Sequence, residues 1–321
     1  MRSDLPERDN GLILVREVTR LGMDGRELRR PGPDGPVVRI RRGAYAPAVA
    51  ASADADDARY DLRIDAVVGT RQSTAVLSAY SAARVWRLPI IDAWPLEVHI
   101  TAPPGSSRRS KNGVIVHRQS LRPVDLGVHD GYLVTSLSRT LIDLARIASF
   151  RNAVAALDAG LASGGVTQET LLEALDVLGA VPGCTRAERA IRFASPLATL
   201  PGESYSRVLM HELGFPAPEL QHKFERALAG RRFADFWWRE LRLVGEFDGK
   251  AKYEDPRYAK GRSPMQVLWD EKVRTNELRE HNVELTRWGW ADLQAVTPFI
   301  HRLEAAGLTR ERPPFPRSRR Q

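Results

Sequence analysis

The chain has 321 residues, 43% of them apolar and 27% charged, with a net charge of +8 and a pI near 9.9. Those proportions exclude a disordered or collagenous chain and leave room for two or three folded domains. No apolar run reaches the ~20 residues that span a bilayer. The opening MRSDLPERDNG carries no apolar export signal, and a lone cysteine, Cys184, excludes an intrachain disulfide. The expected setting is therefore cytoplasmic and away from membranes, and the positive excess favours a polyanion such as DNA.

Residues 11–22 (GLILVREVTRLG) read as a short helix stopped at Gly22. Asp24 and Glu27 then have the spacing of a capping box for a second short helix bearing Arg26, Arg29 and Arg30. PGPDG turns the chain into VVRIRRGAYAP, a period-two strand or hairpin carrying Arg39, Arg41 and Arg42. Two helices and a basic β element make a small winged helix-turn-helix, in which a helix enters the major groove while the wing meets phosphate. The competing explanation is a solvated basic surface on a helical subdomain.

The Ala/Asp/Ser stretch 48–59 reads as a linker. Helical patterns follow near 60–69 and 74–88, then two strands, LEVHIT and GVIVHR, around the polar loop APPGSSRRSKN. Arg108, Arg109 and Lys111 of that loop can reach a phosphate, although basic loops are commonly just solvated. His99 and His117, with no third ligand nearby in sequence, are expected to pack or hydrogen-bond rather than hold zinc. Residues 137–149, 151–164 and 167–179 read as successive helices whose apolar stripes build a core.

VREVTRLGMDGRELRR…RIRRGAYAP, AVLSAYSAARVWRLPI…LEVHITAP and VIVHRQSL…VTSLSRTLIDLAR resemble the AbiEi type of antitoxin over residues 11–180. That resemblance implies a winged-helix DNA-binding module followed by an α/β domain. It also implies repression of the protein's own operon and a toxin partner. It implies no active site in this region.

The last third has a different character. A strand sends alternate side chains to one face, so Glu246, Asp248 and Lys250 project together if the strand of LRLVGEFDGK continues that far. Asp235 sits in the preceding apolar run, FADFWW. Charges gathered on one strand face are expensive to bury unless they meet a metal, a phosphate or each other. Of the adjacent Trp237 and Trp238, one is expected in the core and the other on the opposite side of the sheet. LPGESYSRVLMHELG reads as a helix ending at Gly214. Three strands of a meander follow it, then a helix capped by Ser263, Pro264 and Gln266, then the strand VELTRW.

This αβββαβ order resembles the restriction-endonuclease-like fold, in particular the branch of very-short-patch repair endonucleases. Glu203, Gln221, Asp235, the run Glu246-Phe247-Asp248-Gly249-Lys250 and the helix DEKVRTNELRE carry the resemblance. It implies an endonuclease that uses Mg²⁺ or Mn²⁺. Phosphodiester cleavage needs charge stabilisation on the phosphate and a nucleophilic water, which a carboxylate-held divalent ion supplies. Asp235 and Asp248 are the first choices for metal ligands, and Glu246 either binds the metal or supports those that do. Lys250 orients the water or neutralises the phosphate. Glu203 reaches the metal through water, and Lys272 and Arg274 contact the scissile phosphate or DNA backbone. The lysine falls one strand repeat beyond the usual E-x-K position, and Gly249 can end the strand before it. An inactive, ion-paired nuclease-like domain that only binds nucleic acid stays open, as does an RNA substrate.

The expected fold class is thus α+β and multidomain. A winged-helix module spans 1–47, an AbiEi-like α/β and helical region 60–195, a nuclease-like domain 200–300, and a basic Pro/Arg-rich tail 301–321.

Overall fold

A computed structural model of the chain describes residues 6–24, 28, 37–51, 56–71, 74–228, 231–249 and 282–313. It is a mixed α and β protein of two compact units. One comprises residues 1–156 and 165–192, the other 157–164 and 193–321.

In the first unit, β1 (Ile13–Leu14), β2 (Val37–Arg41) and β3 (Ala44–Pro47) form an antiparallel sheet in the order β1-β3-β2. Strand alternation sorts its side chains onto two faces. Leu14, Ala44 and Ala46 pack with Leu62 and Ala66 of α3 (Asp56–Thr70), whereas Ile13 and Tyr45 pack with Val18 of α1 (Val15–Arg20). The helix expected over 11–22 is therefore shorter, because Ile13 and Leu14 pair with Tyr45 and Ala44. The run GLILV is apolar enough for either state, and the sheet edge decides it. The linker expected over 48–59 is also corrected. Ala48–Ala51 form α2, and α3 begins at Asp56, whose carboxylate accepts a bond from Trp94 N at 2.8 Å.

A five-stranded sheet follows in the order β6-β5-β4-β8-β7. Its strands are β4 (Val76–Leu77), β5 (Val98–Ala102), β6 (Val114–Arg118), β7 (Leu126–His129) and β8 (Tyr132–Thr135). All five residues of β5 are buried. The pattern at 74–88 thus divides into β4 and α4 (Ala79–Val85). Next come α5 (Leu137–Ile147), α6 (Phe150–Ala162), α7 (Gln168–Leu178) and α8 (Cys184–Phe193). Ser136 caps α5 by accepting from Arg139 N, and Thr167 caps α7 by accepting from Thr170 N. The buried face of α5 is not wholly apolar. Arg139, 3% exposed, donates to Asp143 at 3.0 Å and to Asp125 at 3.3 Å, so its charge enters the core already paired.

The second unit holds α9 (Pro201–Leu213) and a sheet in the order β12-β11-β10-β9. These strands are β9 (Glu219–Leu228), β10 (Arg231–Trp238), β11 (Leu243–Phe247) and β12 (Glu284–Trp288). The first three form an antiparallel meander, whereas β11 and β12 are parallel. A parallel pair cannot be joined by a tight turn, so the chain crosses over between Asp248 and Val283. The helix expected in that crossover lies outside the described residues. Phe236, Trp238 and Trp288 share the α9 face, where Trp288 Nε1 donates to Ser206 Oγ at 2.7 Å. Trp237 lies on the other face beside His222 and Phe224. Both adjacent tryptophans are buried, so the sheet is covered on both sides.

Candidate polar row on the carboxy-terminal sheet

Pairing in this sheet brings distant polar residues into one line. Phe236 lies opposite Gly245, and Trp237 opposite Val244. Carried one step further, that register sets Asp235 beside Glu246. On the other side of β10, the pairs Ala234–His222 and Phe236–Leu220 bracket Asp235 and Gln221. Glu246 is in register with Arg287 across the parallel β11–β12 pair. Gln221, Asp235, Glu246 and Arg287 thus form a row across all four strands. Glu246 and Arg287 lie on the face of Val244 and Leu285, which pack with Trp237 opposite α9.

The hydrogen bonds follow the row. Gln221 Nε2 donates to Asp235 Oδ1 at 3.4 Å, and Phe247 N donates to Asp235 Oδ2 at 3.4 Å. Arg287 Nε donates to Glu246 Oε2 at 3.0 Å. Glu246 is only 7% exposed, so the arginine supplies the opposite charge that its burial demands. The α9 face holds the backbone beneath. A Cβ on Gly245 would meet Trp288 at 2.6 Å and Trp238 at 2.9 Å, so only glycine lets those rings close there.

Asp248 lies just past the end of β11, half-buried, with its backbone N–H donating to Trp288 O at 2.8 Å. This bond continues the β11–β12 ladder by one residue beyond Phe247. Glu203 takes another position. Its Oε2 accepts from Thr199 N at 2.9 Å and Leu200 N at 3.3 Å, closing the entry to α9, and the residue is 4% exposed. Among the described residues, no three Asp, Glu, His or Cys side chains converge into a group that would hold a metal ion. Lys250, Lys272 and Arg274 lie outside the described residues, as do Arg26, Arg29 and Arg30.

Arg287 is the member of the row that sequence reasoning missed. VELTRW was legible as a strand, but nothing local pairs its arginine with an acid 41 positions away.

In the first unit, His99 and His117 do form a pair, with Nδ1 and Nε2 2.9 Å apart. Tyr80 meets His99 edge-on. Burial pushes His99 down to about 3, helped by the neighbouring His117, and burial also lowers His117. Both rings are therefore neutral near pH 7 and serve as a buried hydrogen-bonded pair. Of the basic wing, Arg39 and Arg42 are exposed and Arg41 is half-buried.

No protein-family model matches the chain. It is similar to two proteins of Mycobacterium tuberculosis, uncharacterized protein MT2308 (strain CDC 1551 / Oshkosh) and uncharacterized protein Rv2248 (strain ATCC 25618 / H37Rv). Each is 28% identical over 199 residues, or 62% of this chain and 67% of the relative. Among solved structures, the RV2827C protein from Mycobacterium tuberculosis is 19% identical with a TM-score of 0.38, over 57% of this chain and 71% of that one.

Proposed function

We propose that the protein binds DNA through its amino-terminal unit and hydrolyses phosphodiester bonds with its carboxy-terminal unit. The observation that carries this reading is the β10–β11 register, which sets Asp235 beside Glu246, with Asp248 directly beyond the end of β11. The sheet order β12-β11-β10-β9, with α9 before it and a crossover before β12, supports the restriction-endonuclease-like architecture. For the amino-terminal unit, the sheet β1-β3-β2 beside α1, with Arg39 and Arg42 exposed, supports a winged helix.

The donor set suits Mg²⁺ or Mn²⁺, which take hard oxygen ligands and keep several waters. A bound ion supplies charge stabilisation on the phosphate oxygens and a nucleophilic water near neutral pH. Asp235 contributes a carboxylate that accepts from Gln221 Nε2 and Phe247 N, each at 3.4 Å. Asp248 adds a carboxylate at the end of β11. Arg287 holds Glu246 in place through one oxygen and offsets its charge. Lys250 follows Asp248 by two positions, where its ammonium serves to neutralise the phosphate.

The test is nicking of supercoiled DNA in Mg²⁺ or Mn²⁺ by the full chain. Asp235→Asn and Asp248→Asn are expected to abolish nicking while leaving circular dichroism and Tm near wild type. Undiminished cleavage by both variants removes these residues from the site.

A second reading is favoured by the Glu246–Arg287 ion pair and by the capping role of Glu203, both of which occupy carboxylates structurally. In it the protein is an AbiEi-like repressor or antitoxin, with a toxin partner, whose nuclease-like unit no longer cuts. Specific binding to its own promoter without metal-dependent cleavage by the wild type selects this reading.

A further inference from the structure

The five-stranded sheet of the first unit ends differently on its two sides. At the β6 edge the β5–β6 loop covers the strand. Val116 N donates to Ser110 Oγ at 2.9 Å, and Arg118 donates to Arg108 O at 2.7 Å. At the β7 edge the side chains are apolar and exposed. Leu126 is 36% exposed and Val128 75%, and Val124, just before the strand, is 68% exposed. Leu126 and Val128 alternate with Gly127 and His129, so they share one face. His129 stacks on Trp86 on the other. No lysine, proline or bulge, the common protections of a free edge, interrupts Leu126–His129.

The pairing with β8 fixes which backbone groups face outward. Ser136 N donates to Asp125 O at 2.8 Å, so Asp125–Ser136 is a hydrogen-bonded pair of the antiparallel ladder. Gly127–Val134 and His129–Tyr132 continue that set. Asp130 and Gly131, with φ of 47° and 80°, then close the hairpin as a two-residue turn. The intervening Leu126 and Val128 therefore turn their backbone groups away from β8, toward the open edge. Pro123 O accepts the Leu126 N–H locally, which leaves the Leu126 carbonyl and both groups of Val128 to recruit a further strand.

We propose that the β7 edge is a homodimer interface, in which β7 of a second copy pairs antiparallel across a two-fold axis at Gly127. In that register Val128 N donates to the partner's Leu126 O, and the symmetric bond forms on the other side of the axis. Leu126 of each copy then lies beside the partner's Val128, so the exposed apolar side chains cover one another. Charge selects a second copy over an unrelated strand. Arg122 at one end of the edge has a side chain 49% exposed, and Asp130 at the other end 50%. Their ion pairs within the chain, to Asp125 and Arg87, leave that half of each side chain open. An antiparallel two-fold brings each end against its opposite in the partner, within reach of the long arginine side chain, so both ends gain an ion pair. The contact is isologous and closes at two subunits, joining two five-stranded sheets into one.

The experiment reads the oligomeric state of the full chain by sedimentation velocity across a micromolar concentration series. Wild type is expected to sediment as a dimer. Val128→Glu should be monomeric at the same concentrations, with unchanged circular dichroism because the side chain it replaces is exposed. Leu96→Glu, at an apolar position 69% exposed and outside this edge, should stay dimeric. The register has its own readout. Gly127 has open space where a Cβ would stand, and across the axis it faces its counterpart in a non-hydrogen-bonded pair, with Cα atoms about 4.5 Å apart. In a Cys184→Ser background, which removes the lone native thiol, Gly127→Cys should form an intersubunit disulfide under mild oxidation. Val124→Cys should not, its counterpart being roughly 20 Å away along the strand. A wild type that stays monomeric throughout the series overturns the interface, as does a dimer that Val128→Glu leaves intact. Crosslinking through Val124→Cys rather than Gly127→Cys overturns the two-fold at Gly127.

Discussion

The Glu246–Arg287 pair invites a double-mutant cycle, because it is the best-defined interaction of the polar row. The charged atoms are 3.0 Å apart, with side-chain exposures of 9% for the glutamate and 25% for the arginine. Unit charges at that separation attract by roughly 5 kcal/mol at an effective dielectric near 20. Desolvation and the partial exposure of Arg287 cancel about half of this. Arg287→Met leaves a buried carboxylate without that partner and is expected to cost roughly 3 kcal/mol. Glu246→Gln alone should cost about 1 kcal/mol and the double variant, which removes both charges, about 2 kcal/mol, giving a coupling near 2 kcal/mol. Urea unfolding followed by tryptophan fluorescence reads these values, since Trp237, Trp238 and Trp288 lie in the same sheet. A coupling below about 0.5 kcal/mol would refute the argument that burial forces this pairing. Mg²⁺ adds a second readout. If Glu246 faces a bound ion, Arg287→Met should bind Mg²⁺ more tightly than wild type, because the carboxylate is no longer neutralised.

Two further outcomes follow from the packing. His99 has a folded-state pKa of about 3 against the ordinary 6.5, so the unfolded chain binds the proton first as pH falls. Stability is thus lost on acidification below about 6.5, with the His99 contribution near 2 kcal/mol between pH 7 and about pH 5. His99→Gln should lose correspondingly less over the same interval, and an NMR titration of His99 midway near 6.5 would show the premise to be wrong. Gly202→Ala would set a Cβ 2.1 Å from the Phe247 ring, and such overpacking typically costs ~1–3 kcal/mol. Phe247 stands between Glu246 and Asp248, so the variant should also reduce nicking. A Tm within a degree or so of wild type would show that the ring gives way freely.

Much of the chain's local structure was legible because its causes are local. Short strand-like runs marked β5, β6 and β9–β12, and apolar stripes at helical spacing marked α5 and α7. The errors occurred where a short segment had two available states. GLILV reads as helix until Ala44 and Tyr45 give it strand partners, and the small residues at 48–51 read as linker until the sheet edge is seen beside them. The acids of the candidate site were visible as residues, yet their grouping was not. Asp235 and Glu246 become neighbours through the β10–β11 register, and register depends on which faces the whole sheet buries.

Composition and periodicity are properties of the chain at short range, so they specified an α+β protein with a basic hairpin near its start and an acid-bearing meander near its end. Long-range pairing settled the rest. A single bulge in β2 takes Arg41 out of the register that Arg39 keeps with Tyr45, and the parallel β12 brings Arg287 to Glu246. Neither outcome is encoded in the neighbours of those residues. Each follows from strands that meet only after the cores on both sides of their sheets have formed.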